Sequence, residues 1–414
     1  MVRRPNDPPV WDSLWTEDGK IFLTQSLSQS FLDTLATSYF GYLHTVPRLI
    51  TNAASWFPIE DMPLVMSLLT CLVVALLSVY VFEASGAWIA SPVIRVLLAL
   101  AVAFAPVTAR ELSGTVSNVH WYLIYASFWA VICPWRTRGW LAASTAVVVA
   151  SVLSDPLTAV LLPLGVVAAL AARDRRAWIL PAAIVGGLVV QLGLRDEGTT
   201  FFGGREWQLL PRIFAERVTS SVLAGDRYLE DLFGGRVGSP FAWASLAVVT
   251  LVLAAGLWRL RGRRRWLVAI AAVLSVAFFL IPAFSRGTIH FFPTRPWLLA
   301  STRYIYLPVL FLLTALALAA DRATRGPTRP RLPEIAFALL LVGTMATSYA
   351  APHRTEGTPS WRATVKAGRI ACRQNHENPL AELYYNRGLI AVLPIAPTPG
   401  SWRAVISCAR LTQG

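Results

Sequence analysis

Two adjacent carboxylates, Glu17 and Asp18, stand in the run Trp15-Thr16-Glu17-Asp18-Gly19, among the aromatic residues Trp11, Trp15 and Phe22. A carboxylate desolvated by such neighbours has a raised proton affinity and can serve as a general base toward a hydroxyl. A pair can instead hold a divalent cation, Mg2+ or Mn2+, beside a phosphate. The same residues also fit a plain helix start, with Asp18 or Thr16 capping a helix through Ile21–Leu27. Groups suited to an anionic partner recur farther along. His44 and Arg48 share one amphipathic stretch, and Arg110 and Glu111 sit in a short turn ahead of His120, Trp121 and Tyr122. Arg195 opens a long loop, while Arg286, His290, Arg295, Arg303 and Tyr304 cluster between two apolar segments. A guanidinium fork suits phosphate oxygens, although a lone arginine at a helix end is as readily a snorkelling anchor. Asp155, in Ser154-Asp155-Pro156, reads as the cap of a following short helix. No glycine loop precedes a lysine in the manner of an ATP site, and no His/Cys spacing suggests zinc.

The elements that must position these groups are membrane helices. The 414 residues are 55% hydrophobic and 14% charged, with mean hydropathy +0.53, against roughly 25% charged in soluble domains. Long apolar runs without period-two alternation exclude a transmembrane barrel. Runs able to cross about 30 Å of hydrocarbon cover Pro63–Phe82, Pro92–Ala109, Val119–Trp135, Ala177–Leu194, Pro240–Trp258, Trp266–Phe284, Tyr304–Ala320 and Leu332–Ala350. The apolar stretch Gly139–Ala172 is broken by Ser154-Asp155-Pro156, where proline cannot continue the helical ladder. Two short helices forming a hairpin are expected there, making about ten spans; one kinked span is the alternative. The fold class is therefore all-α, a polytopic transmembrane bundle. Its parts are an N-terminal loop (1–62), the bundle (63–350) and a C-terminal segment (351–414).

The net charge of +14 comes almost wholly from arginine, since Lys20 and Lys366 are the only lysines. No basic stripe interleaved with stacking aromatics points to nucleic acid. Instead the arginines fill short loops: Arg136 and Arg138; Arg173, Arg175 and Arg176; Arg259 to Arg265; and Arg322 to Arg331. The positive-inside bias puts these loops in the cytoplasm. The N-terminal loop, the long loop from Arg195, the Ser285–Arg303 loop and the tail then lie outside. An external Met1–Met62 needs something to carry it across, so a preceding transmembrane helix is expected. In-frame apolar sequence upstream in the genomic DNA would reveal one. Cys71 and Cys133 lie within spans and read as small core residues. Cys372 and Cys408 share the exported tail, where an oxidising compartment favours a disulfide over two free thiols. Tyr42–Phe57 and Trp207–Val222 carry apolar residues at three- and four-residue steps, as helices lying in the interface or packed on spans.

The run Trp15-Thr16-Glu17-Asp18-Gly19-Lys20-Ile21-Phe22, with Gly41-Tyr42-Leu43-His44-Thr45-Val46-Pro47-Arg48-Leu49 after it, resembles actinobacterial multi-spanning glycosyltransferases of the GT-C type. The motif covers the N-terminal third, and the remainder resembles that superfamily in architecture. The resemblance implies a polyprenyl-phosphate sugar donor and a glycan or protein acceptor. Transfer would occur at the outer face of the plasma membrane, with membrane lipids around the protein. It also implies Asp18 as the catalytic carboxylate, with Glu17 as helper or metal ligand. The tail aromatics Trp361, Tyr384, Tyr385 and Trp402 are candidates for acceptor binding, or for a packing cap. Two other readings are a lipid or polysaccharide flippase and a scaffold for envelope assembly. A flippase predicts ionisable residues near the midplane and internal repeats, and the sequence displays neither. A scaffold predicts tolerance to loss of Asp18.

Overall fold

The computed structural model describes residues 8–109, 111–133, 137–172, 174–195, 207–225, 240–286, 302–321, 332–349, 358–374, 381–384, 388–395 and 402–412. Six helices among them are long and apolar enough to cross a membrane, and four shorter apolar helices stand where the remaining spans are expected. The protein is an all-α, multi-pass membrane bundle. In chain order its main helices are α1 (Thr45–Ala54), α2 (Met62–Ser85), α3 (Pro92–Phe104), α4 (Val119–Ile132), α5 (Arg138–Ser154) and α6 (Leu162–Ala172). These are followed by α7 (Ile179–Gly193), α8 (Pro240–Arg259), α9 (Arg263–Arg286), α10 (Arg303–Ala320) and α11 (Leu332–Tyr349).

The helices sort by what surrounds them. On α2, Leu68, Leu72, Leu76 and Val79 are exposed while Met66, Thr70, Val74, Leu77 and Val81 are buried. One stripe of that helix meets lipid and the other meets protein. Every residue of α4 is buried, as is nearly all of α10. The two lie together at the centre, joined by Tyr125 Oη and Thr314 Oγ1 at 2.8 Å and by ring contacts Tyr122–Tyr306 and Phe128–Phe311. The 14 residues of α4 rise only about 21 Å, short of the hydrocarbon thickness. A helix enclosed by protein has no lipid thickness to match. α3 ends at Phe104 rather than Ala109 because Ala105, extended at ψ 152°, precedes Pro106.

The hairpin forms at the expected break. Asp155 lies beside His120 at the start of α4, whereas Gly165 packs against Val131 near its end, so the chain after Pro156 turns back along the path it came. The approach of α5 and α7 is close: a Cβ on Gly187 would stand 2.1 Å from a methyl of Val152.

Two amphipathic stretches resolve differently. In α1 the polar residues Arg48, Thr51 and Asn52 turn inward, and Leu49, with Trp56 and Phe57 just beyond the helix, is exposed. Ile50 and Ala54 are buried with them, so polar and apolar residues share the face that packs on protein. The segment Trp207–Ala224 buries Ala215–Ser221 completely against α8, α10 and α11, so it packs on spans. Cys133 is buried, but Cys71 is exposed along the lipid-facing side of α2, a departure from the core position expected of it.

The C-terminal segment departs from the all-helical pattern. Helix α12 (Trp361–Gln374) packs on an antiparallel sheet of β1 (Ala381–Tyr384), β2 (Gly388–Pro394) and β3 (Arg403–Ser407), ending in α13 (Cys408–Thr412). Cys372 and Cys408 form a disulfide joining α12 to α13. The unit is fastened to the N-terminal segment. Trp361 Nε1 donates to Ile59 O at 2.7 Å, Val405 N donates to Thr24 Oγ1 at 3.0 Å, and Arg369 pairs with Glu60. Trp361 is thereby a buried anchor and offers no face to an acceptor. The side chains of Tyr384 and Tyr385 lie outside the described residues.

Candidate functional site

The start of α4, the break between α5 and α6, the ends of α7 and α9, and the start of α10 all reach one face of the bundle. The N-terminal segment lies across them. It is pinned there by Thr45 Oγ1 donating to Leu153 O at 2.9 Å, Val46 N donating to Ser154 Oγ at 3.1 Å, and Leu43 N donating to Gln191 Oε1 at 2.8 Å. Between these elements is a cavity of about 530 Å3, within the roughly 300–1,000 Å3 of small-molecule sites.

Arg303, at the first turn of α10, forms one end of the cavity. Its Nη1 donates to Glu17 Oε1 at 2.9 Å and stands 3.5 Å from Glu111 Oε1, while its backbone N–H donates to Glu111 Oε2 at 3.2 Å. The Thr16 hydroxyl donates to the other oxygen of Glu17. Burial alone would raise the Glu17 carboxyl, but the Arg303 charge and the hydrogen bonds from Thr16 and Arg303 outweigh it and hold the group below its ordinary value. Glu111 goes the other way. Burial and the neighbouring Glu17 charge, only partly offset by Arg303, push it up to about 7.

The acidic pair divides its labour. Asp18 is buried, and its two oxygens accept from the backbone N–H groups of Val116 at 3.0 Å and Ser117 at 2.8 Å. It does not line the cavity, whereas Glu17 does. Asp18, for which a catalytic role was expected, thus lies against backbone N–H groups behind the cavity wall. Its carboxylate satisfies donors ahead of α4, and the chain enters the site from the π-helical turn Asp18–Leu23. Neither arrangement suits a divalent cation, because Glu17 is committed to Arg303 and Asp18 to backbone. Among the described residues no group of three His, Cys, Asp or Glu could hold a metal.

The other end of the cavity is aromatic and imidazole-rich. His120 Nε2 stands 3.5 Å from Asp155 Oδ2, and Asp155 Oδ1 accepts from the Leu157 N–H at 2.8 Å. Tyr42 stacks on His44 at 4.2 Å, and the His44 and His120 rings lie 5.8 Å apart. A chain of contacts links the two ends: His120 on Trp121 at 4.6 Å, Trp121 edge-on to Tyr304 at 6.1 Å, and the Arg303 guanidinium over the Tyr304 ring at 5.2 Å. Arg195 and Trp402 complete the wall, the latter with Lys20 over its ring at 5.1 Å.

Of the residues expected at a site, Glu17, His44, His120, Arg303 and Tyr304 therefore line one cavity. Arg48 does not. It is buried behind Phe22, its Nη1 donating to Gln25 Oε1 at 2.8 Å, and burial lowers its pKa to about 10. Arg286 ends α9, with its side chain outside the described residues; Arg110, His290 and Arg295 also lie outside them. Asp155 is the cap expected, but it is also a cavity carboxylate. The available signal was its place at the tip of a hairpin that had to reach the same face as His120.

No family model matches this chain, and no curated protein matches it. Among solved structures it is similar to ArnT from Cupriavidus metallidurans in the apo state, at 14% identity. The match covers 76% of this chain and 74% of that one with a TM-score of 0.32, a superposition too loose to assign a function.

Proposed function

We propose that this protein is an integral membrane glycosyltransferase that takes a sugar from a polyprenyl-phosphate carrier and passes it to a hydroxyl acceptor at the outer face of the membrane. The observation that carries the reading is the cavity itself. It sets Arg303 at one end, an imidazole and a carboxylate at the other, and Arg195 and aromatic rings along its wall. A phosphate leaving group requires fixed positive charge where negative charge develops. Glu17, held in its charged form by Arg303, already offsets that arginine. Arg195 is then the cation of the cavity that no carboxylate among the described residues pairs with. In this reading Arg195 receives the phosphate, and Arg303 is held in a fixed orientation by two carboxylates to contact it.

A second observation favours a lipid-linked donor. An apolar groove of about 760 Å3 runs along α2 and α3 from Trp11 to Phe82, touching Ser113, Gly114 and Tyr122. The cavity touches Ser117, Asn118 and Trp121, the other side of the same turn. A prenyl chain in the groove would leave its phosphate within reach of the cavity. The test is reconstitution of the full chain in nanodiscs with a panel of radiolabelled polyprenyl-phosphate sugars. Wild type is expected to release polyprenyl phosphate in an acceptor-dependent way, with Arg195→Gln slower by about 100-fold, the cost of one lost transition-state donor. No binding or turnover of any donor in the panel would sink the proposal.

A further inference from the structure

Arg48 is a buried cation with no counter-ion. It lies on α1, one turn beyond His44, and is 1% exposed. Its Nη1 donates to Gln25 Oε1 at 2.8 Å, while its Nε and Nη2 have no hydrogen-bond partner among the described residues. No carboxylate among them pairs with it either. Burial lowers its pKa to about 10, so the group stays charged at neutral pH. The fold gains nothing from an isolated buried charge, whose desolvation is costly. A strut would use its donors; two of the three nitrogens of this side chain donate to nothing.

We propose that Arg48 is a fixed positive charge that attracts the donor's phosphate from behind the cavity wall, without touching it, and so makes the cavity select ligands by charge; this rests on the glycosyltransferase reading. Phe22 supplies the geometry. The guanidinium lies 5.5 Å from the centre of the Phe22 ring, and Phe22 lines the cavity whereas Arg48 does not. His44, also on the wall, is one turn of α1 away, about 6 Å of helix rise. A phosphate in van der Waals contact with Phe22, about 4 Å off, therefore lies about 10 Å from the charge.

The path between them is filled by rings. Phe22 meets Tyr39 at 6.0 Å and His44 at 5.2 Å. A charge acting through buried side chains is screened far less than one acting through salt water. At the effective dielectric of protein sites, a unit charge at about 10 Å changes the affinity for a single opposite charge by about tenfold. Arg303 cannot supply this attraction in full, because Glu17 offsets it. Arg48 adds positive potential that no carboxylate cancels by contact. The effect grows with the charge of the ligand and vanishes for a neutral one.

The experiment compares the full chain as wild type and as Arg48→Met in nanodiscs. It measures thermal unfolding and the binding of a polyprenol, its phosphate and its pyrophosphate, all of one chain length. Methionine keeps an unbranched apolar stem and removes the charge. The variant is expected to fold, since only Gln25 and the Phe22 ring lose a partner while a buried charge is relieved. It is expected to bind polyprenol as wild type does, the phosphate about tenfold more weakly, and the pyrophosphate more weakly still. A merely structural role would not grade the loss by ligand charge. Equal losses for all three ligands, or loss of the fold, would make Arg48 a strut and overturn the proposal. Unchanged binding of both phosphates would overturn it while leaving the transferase reading intact. Failure of wild type to bind either phosphate would defeat that reading, and this proposal with it.

Discussion

Two polar clusters close opposite ends of this bundle, and both are built on an aspartate that grips two successive backbone N–H groups ahead of a helix. At the cavity face Asp18 accepts from Val116 and Ser117 before α4. At the opposite face Asp321 accepts from Ala90 at 3.1 Å and Ser91 at 3.0 Å before α3. The donors at the start of a helix lack intrahelical partners, so an ionised acceptor there forms strong, charge-assisted bonds. The difference lies in how charge is balanced. Asp321 is itself paired with Arg264 at 3.0 Å, and Ser91 Oγ donates to Glu334, so gripping and charge pairing fall on the same group. At the cavity face Asp18 grips, and a separate arginine, Arg303, is shared by two further carboxylates, Glu17 and Glu111. His120, Asp155 and Arg195 are then left on the wall of an open volume. Buried polar groups alone do not mark a functional site; at the cavity face they stand beside an open volume of about 530 Å3.

The largest expected effect is at the cavity face. Arg303→Gln leaves Glu17 and Glu111 buried without a cation, and a loss of about 3–5 kcal/mol in stability is expected, as for breaking one side of a buried pair. Chemical denaturation in detergent measures it, and a loss under 1 kcal/mol would mean that water screens the cluster.

Next comes pH. The Glu111 pKa is raised to about 7 from 4.5. The folded state therefore favours its protonated form, and that stabilisation is present in full below about pH 4.5 and lost as pH rises to about 7. The shift corresponds to roughly 3 kcal/mol. Glu17 has the opposite sign: its lowered pKa stabilises the fold above the ordinary carboxylate range and is lost in acid. Glu111→Gln should flatten the stability profile between pH 4.5 and 7, and an unchanged slope there would assign the dependence to other groups.

Asp18→Asn and Asp321→Asn should each cost about 2 kcal/mol, since each replaces one acceptor oxygen by an amide that faces a backbone N–H. Only the former is expected to slow transfer, by moving the Val116–Asn118 turn that carries Ser117 and Asn118 to the cavity. Equal effects of the two on transfer would erase the distinction between the clusters. The smallest effect is Arg264→Gln. That arginine meets one carboxylate, and Asp321 keeps both backbone N–H donors when it is lost, which leaves about 1 kcal/mol.

Some of this was legible without coordinates, for local reasons. The spans follow from runs of apolar residues longer than a soluble core requires, and the hairpin follows from Asp155-Pro156, where the helical ladder cannot continue. The three-stranded sheet of the tail was not legible. Leu389–Leu393 is a short apolar run that becomes a strand because β1 and β3 pair on either side of it. Likewise Arg48 and Glu17 are both charged residues of the N-terminal segment, and only packing turns one behind Phe22 and the other toward the cavity.

The amino-acid order alone determined that the chain is a many-helix membrane protein, where its helices begin and break, and which cysteines share the tail. These depend on the chemistry of residues within a turn or two of one another. The tertiary structure alone decided which polar groups meet. Glu17 reaches Arg303 across 286 positions and Glu111 reaches it across 192. Which carboxylate faces backbone, which an arginine and which a histidine was settled by how the buried helices pack. A polar group carried into the interior must take whatever partner the neighbouring helix brings to it.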